Sequence, residues 1–161
     1  MTTTFSHLGI CVSDLERSLR FYCRGLGFEP SASHHVGPEF AALLEVDPVS
    51  LESRMVSKDG VTLELLSFTE PGTTGDGTRR PMNQLGLTHL SVRVDAVDGV
   101  AALLESLGGT VVHPTRTTFD LGDRCLDFLY CTDPDGVRIE LMVLPDTAVP
   151  QPAPAPGTVK P

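Results

Sequence analysis

The stretch LTHLSVRV, residues 87–94, has a counterpart near the N-terminus of the chain. Residues 5–12 read FSHLGICV, with a His-Leu pair at the same place and the same alternation, so that His89 lies 82 residues after His7. A second repeat is present. DGVTLELL at 59–66 is similar to DGVRIELM at 135–142, so that Glu140 lies 76 residues after Glu64. Two nearly equal offsets indicate a duplicated module that opens with a histidine and closes with a glutamate.

Hydrophobic periodicity predicts the order β-α-β-β-β within each copy. The first helix is expected to begin at the Ser-x-x-Glu signature of Ser13 and Glu16, and the second at Asp95 or Asp98. A polar loop or frayed strand is expected at 31–35, and Pro38 should open a short helix. The strands are predicted at 5–12, 51–57, 61–67, 87–94, 110–113, 124–131 and 137–144, with an Asp-Gly hairpin turn at 59–60.

Composition bounds the class of protein. A chain of 161 residues suits one compact domain, and its net charge of −9 argues against nucleic acid as a partner. We see neither a secretory signal nor an apolar run long enough for a membrane span, and the four cysteines lack a Cys-x-x-Cys spacing. We therefore expect a cytoplasmic protein with reduced thiols, each of them a small buried hydrophobe.

The chain divides by composition into four parts. Module one is predicted at 5–68, a glycine- and proline-rich linker at 69–86, and module two at 87–144. Residues 1–145 together form the single predicted domain. The segment 146–161 alternates Pro with Ala and Gln and offers no apolar face, so we expect a disordered tail.

Four residues carry the candidate chemistry. His7, Glu64, His89 and Glu140 lie on strands at matched positions, on the face opposite the apolar one. A strand histidine or glutamate taken alone is more often a satisfied or solvent-facing residue. An unpaired carboxylate within a sheet is costly, however, and the duplication repeats both residues. If the modules pack face to face, the four side chains converge as ligands for one divalent metal ion: Zn, Ni, Co, Mn or Fe.

These motifs resemble those of a known superfamily. His-Leu-Gly-Ile at 7–10, the Phe-Tyr pair at 21–22 and Asp-Pro-Asp-Gly at 133–136 are similar to motifs of the vicinal oxygen chelate proteins, which include glyoxalase I, methylmalonyl-CoA epimerase, extradiol dioxygenases and bleomycin resistance proteins. The resemblance covers about 5–144. It implies an α+β glyoxalase-like fold in which two tandem βαβββ modules form a cupped mixed sheet, with His7, Glu64, His89 and Glu140 as metal ligands. It also implies a homodimer that binds a small-molecule substrate.

The expected activity is that of a metal-dependent isomerase, lyase or epimerase that abstracts a proton next to a carbonyl, with Glu140 the favoured base and Glu64 its counterpart. Arg93, on the face of His89, is expected to bind an anionic or carbonyl-bearing substrate, the other interpretation being a surface ion pair. Three alternatives remain open, one of which is a degenerate module that only dimerises. An extradiol dioxygenase needs only two histidines and one carboxylate, and an antibiotic-binding resistance protein needs no metal.

The resemblance also separates branches of the superfamily. Bacterial glyoxalase I typically carries an arginine and an asparagine for glutathione, at positions that here are Cys11 and Phe68. These departures disfavour a glutathione hemithioacetal as substrate, and the segments 37–44 and 63–66 favour epimerase-like relatives.

Overall fold

A computed structural model describes residues 2–122 and 124–145. The predicted disordered tail at 146–161 lies outside the described residues. The first copy contains four strands and two helices, with a π-helical continuation of α1 at Arg20–Gly25 and a 3-10 turn at Pro38–Phe40. In chain order its elements are β1 (Leu8–Cys11), α1 (Leu15–Leu19), β2 (Glu29–Val36), α2 (Ala41–Leu44), β3 (Ser50–Lys58) and β4 (Val61–Glu70).

The second copy has five strands and one helix within its described residues, so it adds a strand and has no counterpart of α2 there. Its elements are β5 (Leu90–Arg93), α3 (Val97–Ser106), β6 (Thr110–Val111), β7 (Thr117–Asp120), β8 (Cys125–Thr132) and β9 (Arg138–Val143). A 3-10 turn at His113–Thr115 separates β6 from β7. The α+β class and the two tandem modules are therefore confirmed. The short strand β7 was not predicted, and β2 forms where a loop or frayed strand was the expectation.

Each copy forms its own sheet. The strand order is β1-β4-β3-β2 in the first and β5-β9-β8-β6 in the second, where β7 also pairs with β8. The outer strand of each motif, β1 or β5, runs parallel to the closing strand, and the remaining pairs are antiparallel. Both β1 and β5 therefore stand at the edge of a sheet with one side unpaired within the described residues.

One hydrophobic core joins the two sheets. The buried residues of this cluster come from one face of each sheet and from the intervening helices: Ile10, Leu63 and Leu65, then Leu129, Ile139 and Leu141, with Phe21, Tyr22 and Leu104 between them. Successive strand residues point to opposite faces. Glu64 and Glu140 therefore lie on the faces turned away from the shared core.

The observed starts of α1 and α3 differ from the predicted ones. Asp14, rather than Ser13, caps α1 by accepting a hydrogen bond from the backbone N–H of Arg17, because the Ser13 hydroxyl donates to Asp135 of the second copy. Ala96, which has no capping side chain, precedes α3 in place of the expected aspartate. At α1, a contact with the second copy thus overrides the local capping signal.

The hairpin turn follows its local sequence. Asp59 and Gly60 both have positive φ, 51° and 80°, as a two-residue turn between twisted strands requires. Among the helices within the described ranges, none has the length and apolar character of a membrane span. The four cysteines are free. Cys131 is buried and Cys23 is partly buried, but Cys11 and Cys125 are exposed, so the expectation of four buried thiols is wrong.

Candidate metal centre

The first candidate pair lies where β1 meets β4. His7 Nε2 is 3.1 Å from Glu64 Oε2. The second carboxylate oxygen, Oε1, accepts a 2.6 Å hydrogen bond from Ser53 Oγ on β3. Ser6 Oγ lies 2.9 Å from His7 Nδ1. A partner on Nδ1 orients the ring and leaves Nε2 directed at the carboxylate.

The second candidate pair repeats this geometry where β5 meets β9. His89 Nε2 is 3.5 Å from Glu140 Oε2, and Thr88 Oγ1 lies 2.9 Å from His89 Nδ1. Both oxygens of Glu140 accept hydrogen bonds, Oε2 from Ser91 Oγ at 2.7 Å and Oε1 from Tyr130 Oη at 3.0 Å. Both glutamate side chains are 18% exposed, so that each remains reachable from solvent.

Tyr130 contacts three side chains of the second pair's surroundings. Its ring packs edge-on against His89, with centroids 5.6 Å apart, and the Arg138 guanidinium carbon lies 5.5 Å from its centroid. Burial, together with the hydrogen bond to Glu140, raises the pKa of the Tyr130 phenol. The hydroxyl is therefore protonated at neutral pH and donates to the carboxylate.

Arg138 connects the linker to this second pair through hydrogen bonds. The side chain is buried, and its guanidinium donates to the backbone carbonyls of Arg80, at 2.8 Å, and of Thr88, at 3.4 Å. Thr88 is the residue before His89. The linker thus contributes to fixing the backbone that carries the histidine.

Arg93 lies on the strand face that the sequence predicted. Its guanidinium donates a 2.7 Å hydrogen bond to the carbonyl of Leu144, and the residue is exposed at the end of β5. Its role in substrate binding stays a prediction.

The four proposed ligands form two separate pairs in the described chain. His7 meets Glu64 and His89 meets Glu140, but no group of three or more His, Cys, Asp or Glu side chains within 2–122 and 124–145 is arranged to hold a metal ion. The expectation that the modules pack with these faces together is not met within one chain. The apolar faces pack together instead, because both sheets bury them in the shared core.

A cavity of about 310 Å³ lies beside the second pair. It is bounded by β1, by residues 87–90 and by the turn at 135–138, with Arg80 of the linker on its wall. Of the four proposed ligands, His89 alone lines it. His89 therefore borders a cavity of a size that holds a small molecule.

The donor atoms fit a divalent metal only when the pairs are combined. One pair supplies an imidazole nitrogen and a carboxylate oxygen, which is half of a four-coordinate set. Two pairs supply two nitrogens and two oxygens, a set that suits Zn, Ni, Co, Mn or Fe. The two pairs together thus supply the complete set of four ligands.

Sequence reasoning missed the side chains that hold the four residues. Ser6 and Thr88 carried a visible signal, since a hydroxyl residue precedes each repeated histidine. Tyr130 and Ser53 carried none, because their contacts depend on the register of β8 with β9 and of β3 with β4.

Cys11 and Phe68 lie on the same sheet face as Glu64. Cys11 pairs in register with Leu66, and Phe68 with Leu51. Burial, and secondarily the charge of Asp135, raises the pKa of the Cys11 thiol. This wall of the site is therefore uncharged.

Solved structures share this architecture. A glyoxalase family protein from Bacillus cereus superposes with a TM-score of 0.74 at 19% identity, covering 89% of this chain and 95% of that one. Glyoxalase I of Leishmania major, which is trypanothione-dependent, gives 0.56 at 22% identity over 88% and 87%. Glyoxalase I of Zea mays gives 0.57 at 19% identity, covering 84% of this chain and 43% of that one. At these identities the likeness shows the fold.

Among curated proteins, none matches the chain in sequence. The family model described as glyoxalase/bleomycin resistance protein/dioxygenase superfamily matches residues 4–141, which is most of the chain. The chain therefore belongs to the glyoxalase/bleomycin resistance protein/dioxygenase superfamily.

Proposed function

We propose that two copies of this chain combine their half-sites into metal centres that catalyse proton transfer next to a carbonyl. The observation that carries the proposal is the repeated His–Glu pair, His7 with Glu64 and His89 with Glu140, each equipped with a hydroxyl on the carboxylate and another beside the imidazole. A structural ion pair needs no such repetition. Two equivalent halves with complementary ligand numbers are what a shared metal ion requires.

A second copy of the chain is the proposed source of the other half-site. Phe5 and Leu87 occupy equivalent positions, each two residues before a candidate histidine, and are 72% and 74% exposed. Large apolar side chains exposed together beside unpaired strand edges are typical of an interface. If β1 of one copy meets β5 of its partner, each His7–Glu64 pair lies against a His89–Glu140 pair. A two-fold homodimer then has two such centres.

The residues of a combined centre have distinct tasks. A divalent metal, when bound, polarises the substrate carbonyl and stabilises the negative charge that develops on its oxygen. One glutamate removes a proton from the adjacent carbon, and the electron pair of the broken C–H bond stays with the substrate. The same or the opposite glutamate then returns the proton, so that the atoms balance in an isomerisation.

The uncharged wall limits the class of substrate. Neither Cys11 nor Phe68 offers a cation or an amide to a peptide carboxylate, and Phe68 lies beside the buried Leu51. We therefore propose a small carbonyl compound with an apolar substituent, such as an acyl thioester or a 2-oxo compound, rather than a glutathione adduct.

The function is tested in two steps. Metal content is measured on the purified dimer, and the metal-loaded protein is then incubated without O₂ in D₂O with 2-methylacyl thioesters and with hemithioacetals. We expect about one metal per four ligands and deuterium entry at the α-carbon, observed by NMR. Turnover that requires O₂ and opens an aromatic ring would instead support a dioxygenase. A metal-free protein that binds planar aromatic drugs without turnover would support a resistance-type binding protein.

Arg93 is predicted to bind the substrate of this reaction. Arg93→Ala should raise KM by about tenfold, which corresponds to about 1.4 kcal/mol of binding, and leave metal content unchanged. The matched control is Arg24→Ala, which removes an exposed arginine from the helical segment of the first copy. Equal kinetics in Arg93→Ala and the wild type would contradict a substrate contact of Arg93.

A further inference from the structure

The two half-sites are not equivalent in how firmly their carboxylates are held. On the adjoining strands, Glu64 has Gly9 and Met55 as its register partners, and neither offers a side-chain hydrogen bond. Glu140 has Ser91 and Tyr130 at the same two positions, and both donate to it. The two copies thus share the same candidate ligands but differ in the residues beside them on the adjoining strands.

The consequence concerns the freedom of each carboxylate. Ser53 holds one oxygen of Glu64, and the other oxygen meets only His7 in the described structure. Both oxygens of Glu140 are held by hydroxyl donors, so turning its side chain breaks two hydrogen bonds to a charged group. Hydrogen bonds to charged groups are about twice as strong as neutral ones.

Tyr130 also fixes the histidine of its half-site. Its ring packs edge-on against His89, and Arg138 lies over the ring while donating to the carbonyl of Thr88. Tyr130 therefore contacts the imidazole and the carboxylate directly, and it acts on the backbone before the histidine through Arg138. The first half-site has Met55 at this position, a flexible side chain without a donor.

We propose that Tyr130, assisted by Ser91, is a positioning residue that makes the second half-site the preformed metal-binding half and leaves the first half-site adaptable. The inference rests on the proposed metal centre and deepens it. Tyr130 touches ligands rather than the reacting atoms. Its effect is therefore expected in metal affinity and in the geometry around the metal.

The experiment titrates the full-length dimer with Zn²⁺ by calorimetry and with Co²⁺ by visible absorption. Tyr130→Phe keeps the ring and removes the hydroxyl, and we expect Zn²⁺ binding to weaken about tenfold. Adding Ser91→Ala should bring the loss to about 100-fold. The Co²⁺ bands should shift in both variants, because a freed carboxylate changes the ligand field.

The matched control is Tyr22→Phe, at the other tyrosine of the chain. It removes a hydroxyl that also donates to a carboxylate, Asp133, at 2.9 Å, but in the core rather than at the half-site. We expect its thermal midpoint to fall and its metal affinity and Co²⁺ spectrum to match the wild type. This control separates lost positioning from lost stability.

Two outcomes would overturn the inference, and they differ in what else fails. Wild-type Zn²⁺ affinity in Tyr130→Phe and in the double variant would remove the positioning role while leaving the metal centre intact. A wild-type dimer that binds neither Zn²⁺ nor Co²⁺ would remove the proposed function, and this inference with it.

Discussion

A mixture of two inactive variants should recover metal binding and proton exchange. The first variant, His7→Ala/Glu64→Ala, lacks one half-site, and the second, His89→Ala/Glu140→Ala, lacks the other. If each centre combines half-sites from two chains, every centre in either pure variant is incomplete. A heterodimer of the two has one intact centre and one that lacks all four ligands. Random exchange of subunits should therefore restore about one quarter of the wild-type centres.

The recovery is measured on mixtures prepared by co-expression or by dissociation and reassociation. The readouts are Zn²⁺ retained per chain after gel filtration and the rate of deuterium entry into the substrate. The matched control mixes His7→Ala with Glu64→Ala, which alter the same half-site and cannot complement each other. A mixture that shows only the average of its two components would place all four ligands within one chain, contrary to the paired geometry described above.

The architecture could be predicted from the sequence because it depends on local and repeated signals. Alternation and helical spacing located most strands, with β2 expected only as a loop or frayed strand and β7 missed, and the Asp-Gly turn predicted the β3–β4 hairpin. The two offsets revealed the duplication and identified both histidines and both glutamates as matched positions. The sequence did not predict their arrangement as two pairs, with 3.1 Å and 3.5 Å between the side chains, and their role as ligands stays a prediction.

The rest could not be predicted because it depends on contacts between distant segments. The alternating pattern identifies which face of each sheet is apolar, but it does not say whether two such sheets meet by their apolar or their polar faces. In the structure one shared core takes both apolar faces. The same limit hid Tyr130, since its pairing with Glu140 follows from strand register across the 133–136 turn rather than from spacing.

We expect Glu64→Gln and Glu140→Gln to differ in their effects: one should mainly affect proton transfer and the other metal binding. A glutamine keeps an oxygen that can ligate and loses the ability to accept a proton. The sequence favoured Glu140 as the base, but the hydrogen bonds favour Glu64, because Ser91 and Tyr130 restrain both oxygens of Glu140. We therefore expect Glu64→Gln to lower deuterium exchange at least 100-fold, the usual scale of general-base catalysis, with Zn²⁺ affinity within about tenfold of the wild type.

Glu140→Gln should show the complementary pattern. Its main loss should be Zn²⁺ affinity, because the restrained carboxylate is the better ligand, and at saturating Zn²⁺ its exchange rate should lie within about tenfold of the wild type. Both rates are measured on the same substrate and at the same metal occupancy, so that weak binding is not mistaken for lost chemistry. The opposite pattern would mean that Glu140 is the general base. A loss of at least 100-fold in both variants would mean that two bases act on opposite sides of the carbon, since each proton transfer would then need its own carboxylate.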